Sequence, residues 1–176
     1  MELGQIDQSL FSAIYGLAGH GKVGDFLIVF FGVYFIYVAL AVFVFVAYQD
    51  WKKRKTRGIR DFAIAIASAL IAKFGVVSLI HIFYQRPRPF LALGISHLIS
   101  NSTYSFPSGH TTFLFALATA TYFFHKKLAY FLFISGVIVG LARVASGVHY
   151  PSDILGGILL GIVAGFVVYR LCRQKR

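Results

Sequence analysis

Five stretches of the chain, residues 26–48, 62–83, 108–124, 128–146 and 152–169, are apolar for close to the length a helix needs to cross a bilayer. A hydrocarbon core of about 30 Å takes about 20 helical residues. Within lipid every backbone N–H and C=O must find its partner inside the protein, so the pattern predicts an all-α, polytopic membrane helical bundle of about five transmembrane helices. Composition agrees: of 176 residues, 58% are hydrophobic and 13% charged. The length suits a single domain over residues 1–176, without room for a separate soluble catalytic module. Ahead of the first stretch, Ile6, Leu10, Ala13, Ile14 and Leu17 recur at helical spacing, with Asp7, Gln8 and Ser12 off that face. Residues 1–25 therefore read as an amphipathic helix lying in the outer interface, too short to cross, and residues 26–176 as the bundle. The first residues lack the basic segment of a cleaved signal peptide. The single cysteine, Cys172, argues against a disulfide framework or a multi-Cys metal site.

Charge gives the sidedness. Lys and Arg number 17 against 6 Asp and Glu, a net charge of +11. Twelve of the 17 fall in three connections: six within residues 52–60, then Lys126 and Lys127, then four within residues 170–176. Basic residues collect in cytoplasmic loops. That predicts a multi-pass protein of the cell inner (plasma) membrane with its C-terminus in the cytoplasm, and the surplus requires no nucleic-acid partner. The exceptions are Lys22, Lys73, Arg86, Arg88 and Arg143.

If the helices alternate in direction, three polar clusters meet on the outer, extracytoplasmic side. Arg86-Pro87-Arg88-Pro89 ends the second stretch, Pro107-Ser108-Gly109-His110 opens the third, and Arg143 to Asp153 links the last two. Ionisable groups within membrane segments are costly enough to signal function. Arginine forks suit bidentate contact with phosphate oxygens, and the flanking prolines limit where Arg86 and Arg88 point. A helix start at Ser108-Gly109 offers free N–H groups and a favourable dipole to an anion. Asp153, one turn after His149, can hold one imidazole nitrogen and leave the other as a nucleophilic lone pair. His110, beside the same anion, can protonate a leaving oxygen.

These residues resemble the type 2 phosphatidic acid phosphatase superfamily of integral membrane lipid phosphatases, whose signatures are Lys-x6-Arg-Pro, Pro-Ser-Gly-His and Ser-Arg-x5-His-x3-Asp. Pro107, Ser108, Gly109 and His110 match the second completely. Arg143, His149 and Asp153 match the third, with Ala142 in place of Ser; Arg88 and Pro89 match the first, with His81 in place of Lys. The resemblance implies catalysis by His149, His110 and Asp153 through a phosphohistidine, with phosphate bound by Arg88, Arg143, Ser108 and Gly109, no cofactor and no metal. Arg86 reads as a second phosphate ligand or a surface anchor, and His81 as a titratable substitute for the lysine. Lys73, eight residues before His81, projects roughly 80° away on a regular helix turning about 100° per residue. This favours a structural or intersubunit role for Lys73 over a role in a substrate channel. His20, His97 and His125 read as solvated loop residues without partners.

The expected substrate is a phosphorylated lipid. The short form resembles the bacterial undecaprenyl-diphosphatases of the bacitracin-resistance type, which implies conversion of undecaprenyl diphosphate to undecaprenyl phosphate. Phosphatidylglycerophosphate, phosphatidic acid and lipid A 1-phosphate are alternatives on the same signatures. Readings from other classes are a bis-histidine haem protein ligated by His110 and His149, and a lipid-phosphate binding protein without catalysis. Nothing in the sequence specifies an oligomeric state.

Overall fold

The computed structural model describes residues 3–54, 56–100 and 103–174. Its elements in chain order are α1 (Leu3–Tyr15), α2 (Lys22–Val29), a π-helical turn (Phe30–Tyr34), α3 (Phe35–Arg54), α4 (Thr56–Leu70), a second π-helical segment (Ile71–Val77), α5 (Ser78–Phe83), α6 (Pro89–Leu93), α7 (Gly109–Tyr122), α8 (Lys126–Ala145) and α9 (Pro151–Gln174). No strand occurs among the described residues. The π-helical pieces lie within continuous rods, and among the described residues four helical stretches are long and apolar enough to span a membrane: Lys22–Lys53, Ile59–Phe83, Lys126–Ala145 and Pro151–Arg173.

The expected span at residues 108–124 is different in kind. It forms α7, 14 residues long, which covers only about 21 Å at 1.5 Å per residue. Every residue from Thr111 to Thr121 is buried, because α7 occupies the middle of the bundle, packed against α4, α8 and α9. A helix apolar all round belongs in such a place. Two of its threonines satisfy their hydroxyls on backbone carbonyls one turn back, Thr121 Oγ1 donating to Leu117 O at 2.7 Å and Thr112 Oγ1 to Ser108 O at 2.9 Å.

The α7–α9 contact is set by glycine. A Cβ on Gly161 would lie 2.6 Å from Thr112 O and 3.0 Å from Ala116 N; on Gly165 it would lie 2.5 Å from Ala116 O, and on Gly157 2.9 Å from Ser108 O. Small residues at four-residue spacing let two membrane helices touch through their backbones. Gly161→Ala is therefore expected to force the helices apart, costing about 1–3 kcal/mol and lowering activity, since α7 carries His110 and α9 carries Asp153. Thermal unfolding in detergent measures this, and an unchanged midpoint contradicts the packing argument.

The alternation holds. At one end, Phe62 packs on Phe43 and Phe124 with ring centroids 5.1 and 4.9 Å apart, Phe123 stacks on Tyr169 at 4.7 Å, and Arg60 Nη2 donates to Cys172 O at 3.2 Å. The helix ends carrying Lys52, Lys53, Arg60, Lys126, Lys127, Arg170 and Arg173 share this end. Lys55, Lys175 and Arg176 lie outside the described residues. The three polar clusters gather at the other end, where α1 also docks. Ile6, Leu10 and Leu17 stay exposed, while Phe11 is 1% exposed and packs on Val144, Tyr150 and Ile154. Tyr15 adds a hydrogen bond from its hydroxyl to Ser96 O at 2.9 Å.

Candidate functional site

The three clusters enclose a cavity of about 280 Å³. One wall comes from the rod of α4 and α5, through Lys73, Val77 and His81, and another from Gly109 and His110 at the start of α7; Arg88, Tyr104 and His149 complete it.

Arg88, 2% exposed, uses all five of its N–H donors. Nε donates to Thr103 O at 2.6 Å, and Nη2 to Thr103 Oγ1 and Tyr104 O at 3.0 Å each; Nη1 reaches Val148 O at 2.7 Å and His149 Nε2 at 3.3 Å. The guanidinium thereby ties the loop before α7 to the α8–α9 connection. Burial lowers it to about 10, so it remains a cation at neutral pH.

Arginine only donates hydrogen bonds, so its contact with His149 assigns a tautomer: Nε2 accepts and the proton sits on Nδ1. Nδ1 in turn faces Asp153 Oδ2 at 3.4 Å, an electrostatic contact longer than a formed hydrogen bond. Burial, with Arg143 and Arg88 nearby, holds the 2%-exposed His149 well below the ordinary imidazole range and outweighs the opposing pull of Asp153. His149 is consequently neutral, with its Nε2 lone pair on the cavity side.

Asp153, fully buried in the first turn of α9, is held from several directions. Oδ2 accepts from Tyr150 N at 2.7 Å and from Ser105 Oγ, and Oδ1 accepts from Arg86 Nη1 at 2.7 Å. Arg86 lies off the cavity wall. Its guanidinium rests on the face of Tyr150, 4.1 Å from the ring centroid, and donates to Ser152 Oγ at 2.7 Å and Asp7 Oδ2 at 2.8 Å. Burial works against its charge, but the hydrogen bond to Asp7 and the proximity of Asp153 leave Arg86 above the usual arginine value. Asp7 also accepts from Ser152 N at 2.9 Å. Arg86, for which phosphate ligand and surface anchor were both left open, is placed as a partly buried clamp between α1 and α9.

The other sequence-selected residues divide. Gly109, His110 and His81 line the cavity, His81 with its ring edge-on to Tyr104 at 5.9 Å between centroids. Ser108 is buried beneath it, its N–H donating to Asp153 O at 3.1 Å and its hydroxyl accepting from Thr111 Oγ1 at 3.2 Å. Arg143, 2% exposed, donates through Nη1 to Gly32 O at 3.2 Å, while Nε and Nη2 have no hydrogen-bond partner among the described residues. Two buried guanidinium nitrogens without an acceptor are costly unless one arrives. The three histidines read as partnerless are not so: His97 stacks on Phe90 at 4.2 Å, His125 Nδ1 accepts from Leu128 N at 3.2 Å as the cap of α8, and His20 Nε2 lies 2.6 Å from Gly16 O.

Lys73 requires a correction, because it lines the cavity together with His81. The reason is the π-helical segment Ile71–Val77. A turn closed at i+5 rotates each residue by roughly 80° instead of about 100°. From Lys73 to Val77 the deficit sums to about 80°, which cancels the displacement expected of a regular helix. Asp7 lies off the face of Ile6 and Leu10, as its spacing predicts, and its bonds to Arg86 and Ser152 are what sequence reasoning missed. It lies four residues before Phe11, on the face that α1 turns toward the bundle, and that shared face was the available signal.

The sequence model of the PAP2 superfamily matches residues 61–176. Undecaprenyl-diphosphatase BcrC of Bacillus subtilis is 34% identical over 170 residues, covering 94% of this chain and 83% of that protein. The crystal structure of Aquifex aeolicus LpxE superposes with a TM-score of 0.68 at 25% identity, covering 94% of this chain and 95% of that one. A PAP2-type phosphatidylglycerolphosphate phosphatase from Bacillus subtilis shares the fold, with a TM-score of 0.66 at 23% identity over 96% of this chain and 87% of that one. With four membrane-length helices and the superfamily match over most of its length, the chain belongs to the PAP2 superfamily and is a multi-pass membrane phosphatase.

Proposed function

We propose that the protein hydrolyses a polyprenyl diphosphate, undecaprenyl diphosphate by preference, to the lipid monophosphate and inorganic phosphate on the extracytoplasmic side of the membrane. The observation that carries this reading is His149: neutral, backed by Asp153, and presenting Nε2 into a cavity that also holds His110. The similarity to an undecaprenyl-diphosphatase over nearly the whole chain supports the lipid, and the basic residues gathered at the opposite end support the sidedness.

In this reading a terminal phosphoryl group enters between the histidines and takes over the Arg88 Nη1 hydrogen bond to His149. Arg143 supplies its two unsatisfied donors, and the first turn of α7 at Ser108 and Gly109 adds its dipole. Nε2 forms a bond to phosphorus as the bond to the bridging oxygen breaks, and that oxygen leaves with the electron pair and a proton from His110. Water then attacks the phosphohistidine, with His110 accepting its proton, and releases phosphate with His149 neutral again. The fixed guanidinium groups act where charge builds, as phosphoryl transfer demands. Arg88 and Asp153 occupy both nitrogens of His149, and nothing in this arrangement favours the haem reading.

Phosphate release from undecaprenyl diphosphate in detergent micelles with excess chelator tests the proposal, beside phosphatidylglycerophosphate and phosphatidic acid. Loss of turnover with chelator overturns the metal-free mechanism; faster turnover of phosphatidylglycerophosphate transfers the reading to that lipid.

A pH prediction attaches to His81. The nucleophile stays neutral to well below pH 6.5, so the wild-type rate is not expected to fall on mild acidification for want of it. A histidine at position 81 contributes a cation to phosphate binding only while protonated. Wild-type kcat/KM is thus expected to fall as pH rises through the titration of His81, and His81→Lys to flatten that slope. Identical profiles exclude a role for His81 in binding.

A further inference from the structure

Lys73 is a cation within a membrane-spanning rod, and among the described residues no carboxylate pairs with it. Its neighbours are aromatic, with Nζ 5.2 Å from the centroid of Phe74 and 5.9 Å from that of Phe113. Its stem runs beside the start of α7, where a Cβ on Gly109 would sit 3.9 Å from Lys73 Cγ and 4.0 Å from Cε. Gly109, His110 and Phe113 belong to the first turns of α7, so the ammonium shares the His110 side of the cavity. Ring faces offer a lysine far less than an anion does, and a cation at membrane depth signals a ligand of opposite charge.

We propose that Lys73 selects a diphosphate over a monophosphate by holding the anionic leaving group on the His110 side of the cavity. The inference rests on the lipid-phosphatase reading above and adds the side chain that sets its substrate class. In an in-line displacement the nucleophile and the leaving oxygen lie on opposite sides of phosphorus. His149 attacks from one side, so the departing group lies toward His110 and therefore toward Lys73. When a lipid monophosphate reacts, the departing group is an alcohol carrying no lasting charge. When a lipid diphosphate reacts, the P–O bond to the bridging oxygen breaks and the electron pair leaves with a lipid phosphate, an anion that Lys73 can hold as it forms. Such an interaction is made with only one substrate class, and it strengthens along the reaction.

Two further features fit. The π-helical segment costs the rod regular hydrogen bonds, and such segments concentrate at functional sites; here its consequence is to turn Lys73 into the cavity. His81 is the other ionisable residue of this rod on the wall, an imidazole in place of a second ammonium.

The test compares undecaprenyl diphosphate with undecaprenyl monophosphate in the same micelles, using wild type, Lys73→Met and Lys73→Arg. The expected result is a drop of about 30-fold in the diphosphate-to-monophosphate ratio of kcat/KM for Lys73→Met, expressed mainly in kcat, with most of the ratio restored in Lys73→Arg. Thermal unfolding of each variant is followed alongside. A ratio that stays at the wild-type value, whether both activities fall together or neither does, overturns the proposal, and a parallel loss of thermal stability then assigns Lys73 to packing. If wild type hydrolyses neither lipid, the functional reading fails and this inference with it, whereas an active wild type with an unaltered ratio removes only the inference.

Discussion

His149→Gln is expected to abolish turnover, by about 10⁴-fold or more, and to remove a radiolabelled phosphoryl group that wild type carries when rapidly quenched with labelled substrate. Glutamine keeps hydrogen-bonding capacity near Arg88 and Asp153 but offers no nucleophilic lone pair. The magnitude follows from the tautomer that Arg88 imposes, since the residue has one free role, attack through Nε2. The label should be stable in alkali and lost in acid, as expected of a phosphohistidine. Turnover within tenfold of wild type, or a label that persists in the variant, refutes the covalent mechanism.

Arg86→Gln is expected to be the most damaging substitution outside the cavity. Removing this cation leaves the fully buried Asp153 facing Asp7 with no charge between them, and breaking a buried pair from one side costs about 3–5 kcal/mol. Asp153 then loses the partner that holds Oδ1, and His149 loses its orientation, so kcat/KM should fall by about 10²–10³-fold. Because the damage comes from two unpaired carboxylates, Asp7→Asn should be harmful in wild type yet partly restorative in the Arg86→Gln background. A double-mutant cycle measures that change of sign, with activity and unfolding midpoint both followed. If Asp7→Asn has the same effect in both backgrounds, the three residues do not act as one unit.

How much of this was visible in the sequence differs element by element. The membrane class, the convergence of three polar clusters at one end and the pairing of His149 with Asp153 follow from local patterns: apolar length, the alternation of basic connections and a four-residue spacing. The centrality of α7 is only implied, because an all-apolar run looks alike whether lipid or protein surrounds it. The position of Lys73 was hidden because a π-helical segment changes hydrogen-bond register without a distinctive residue to mark it. The Arg86–Asp7 contact was hidden for another reason: the two are 79 residues apart in sequence and meet only through tertiary structure. Arg88 lines the cavity, as its place in the sequence predicts, and its five internal hydrogen bonds also make it a fastener of loops.

The glycine contact between α7 and α9 also limits how this site can vary. Two helices meeting through main-chain atoms are already at their minimum separation, so substitution along that seam can only widen the gap between the structures bearing His110 and Asp153. Reach across the reaction centre therefore has a lower bound set by the polypeptide itself, and relatives with bulkier headgroups could be accommodated by loosening this seam, whereas tighter grips must come from longer side chains on the opposing rod.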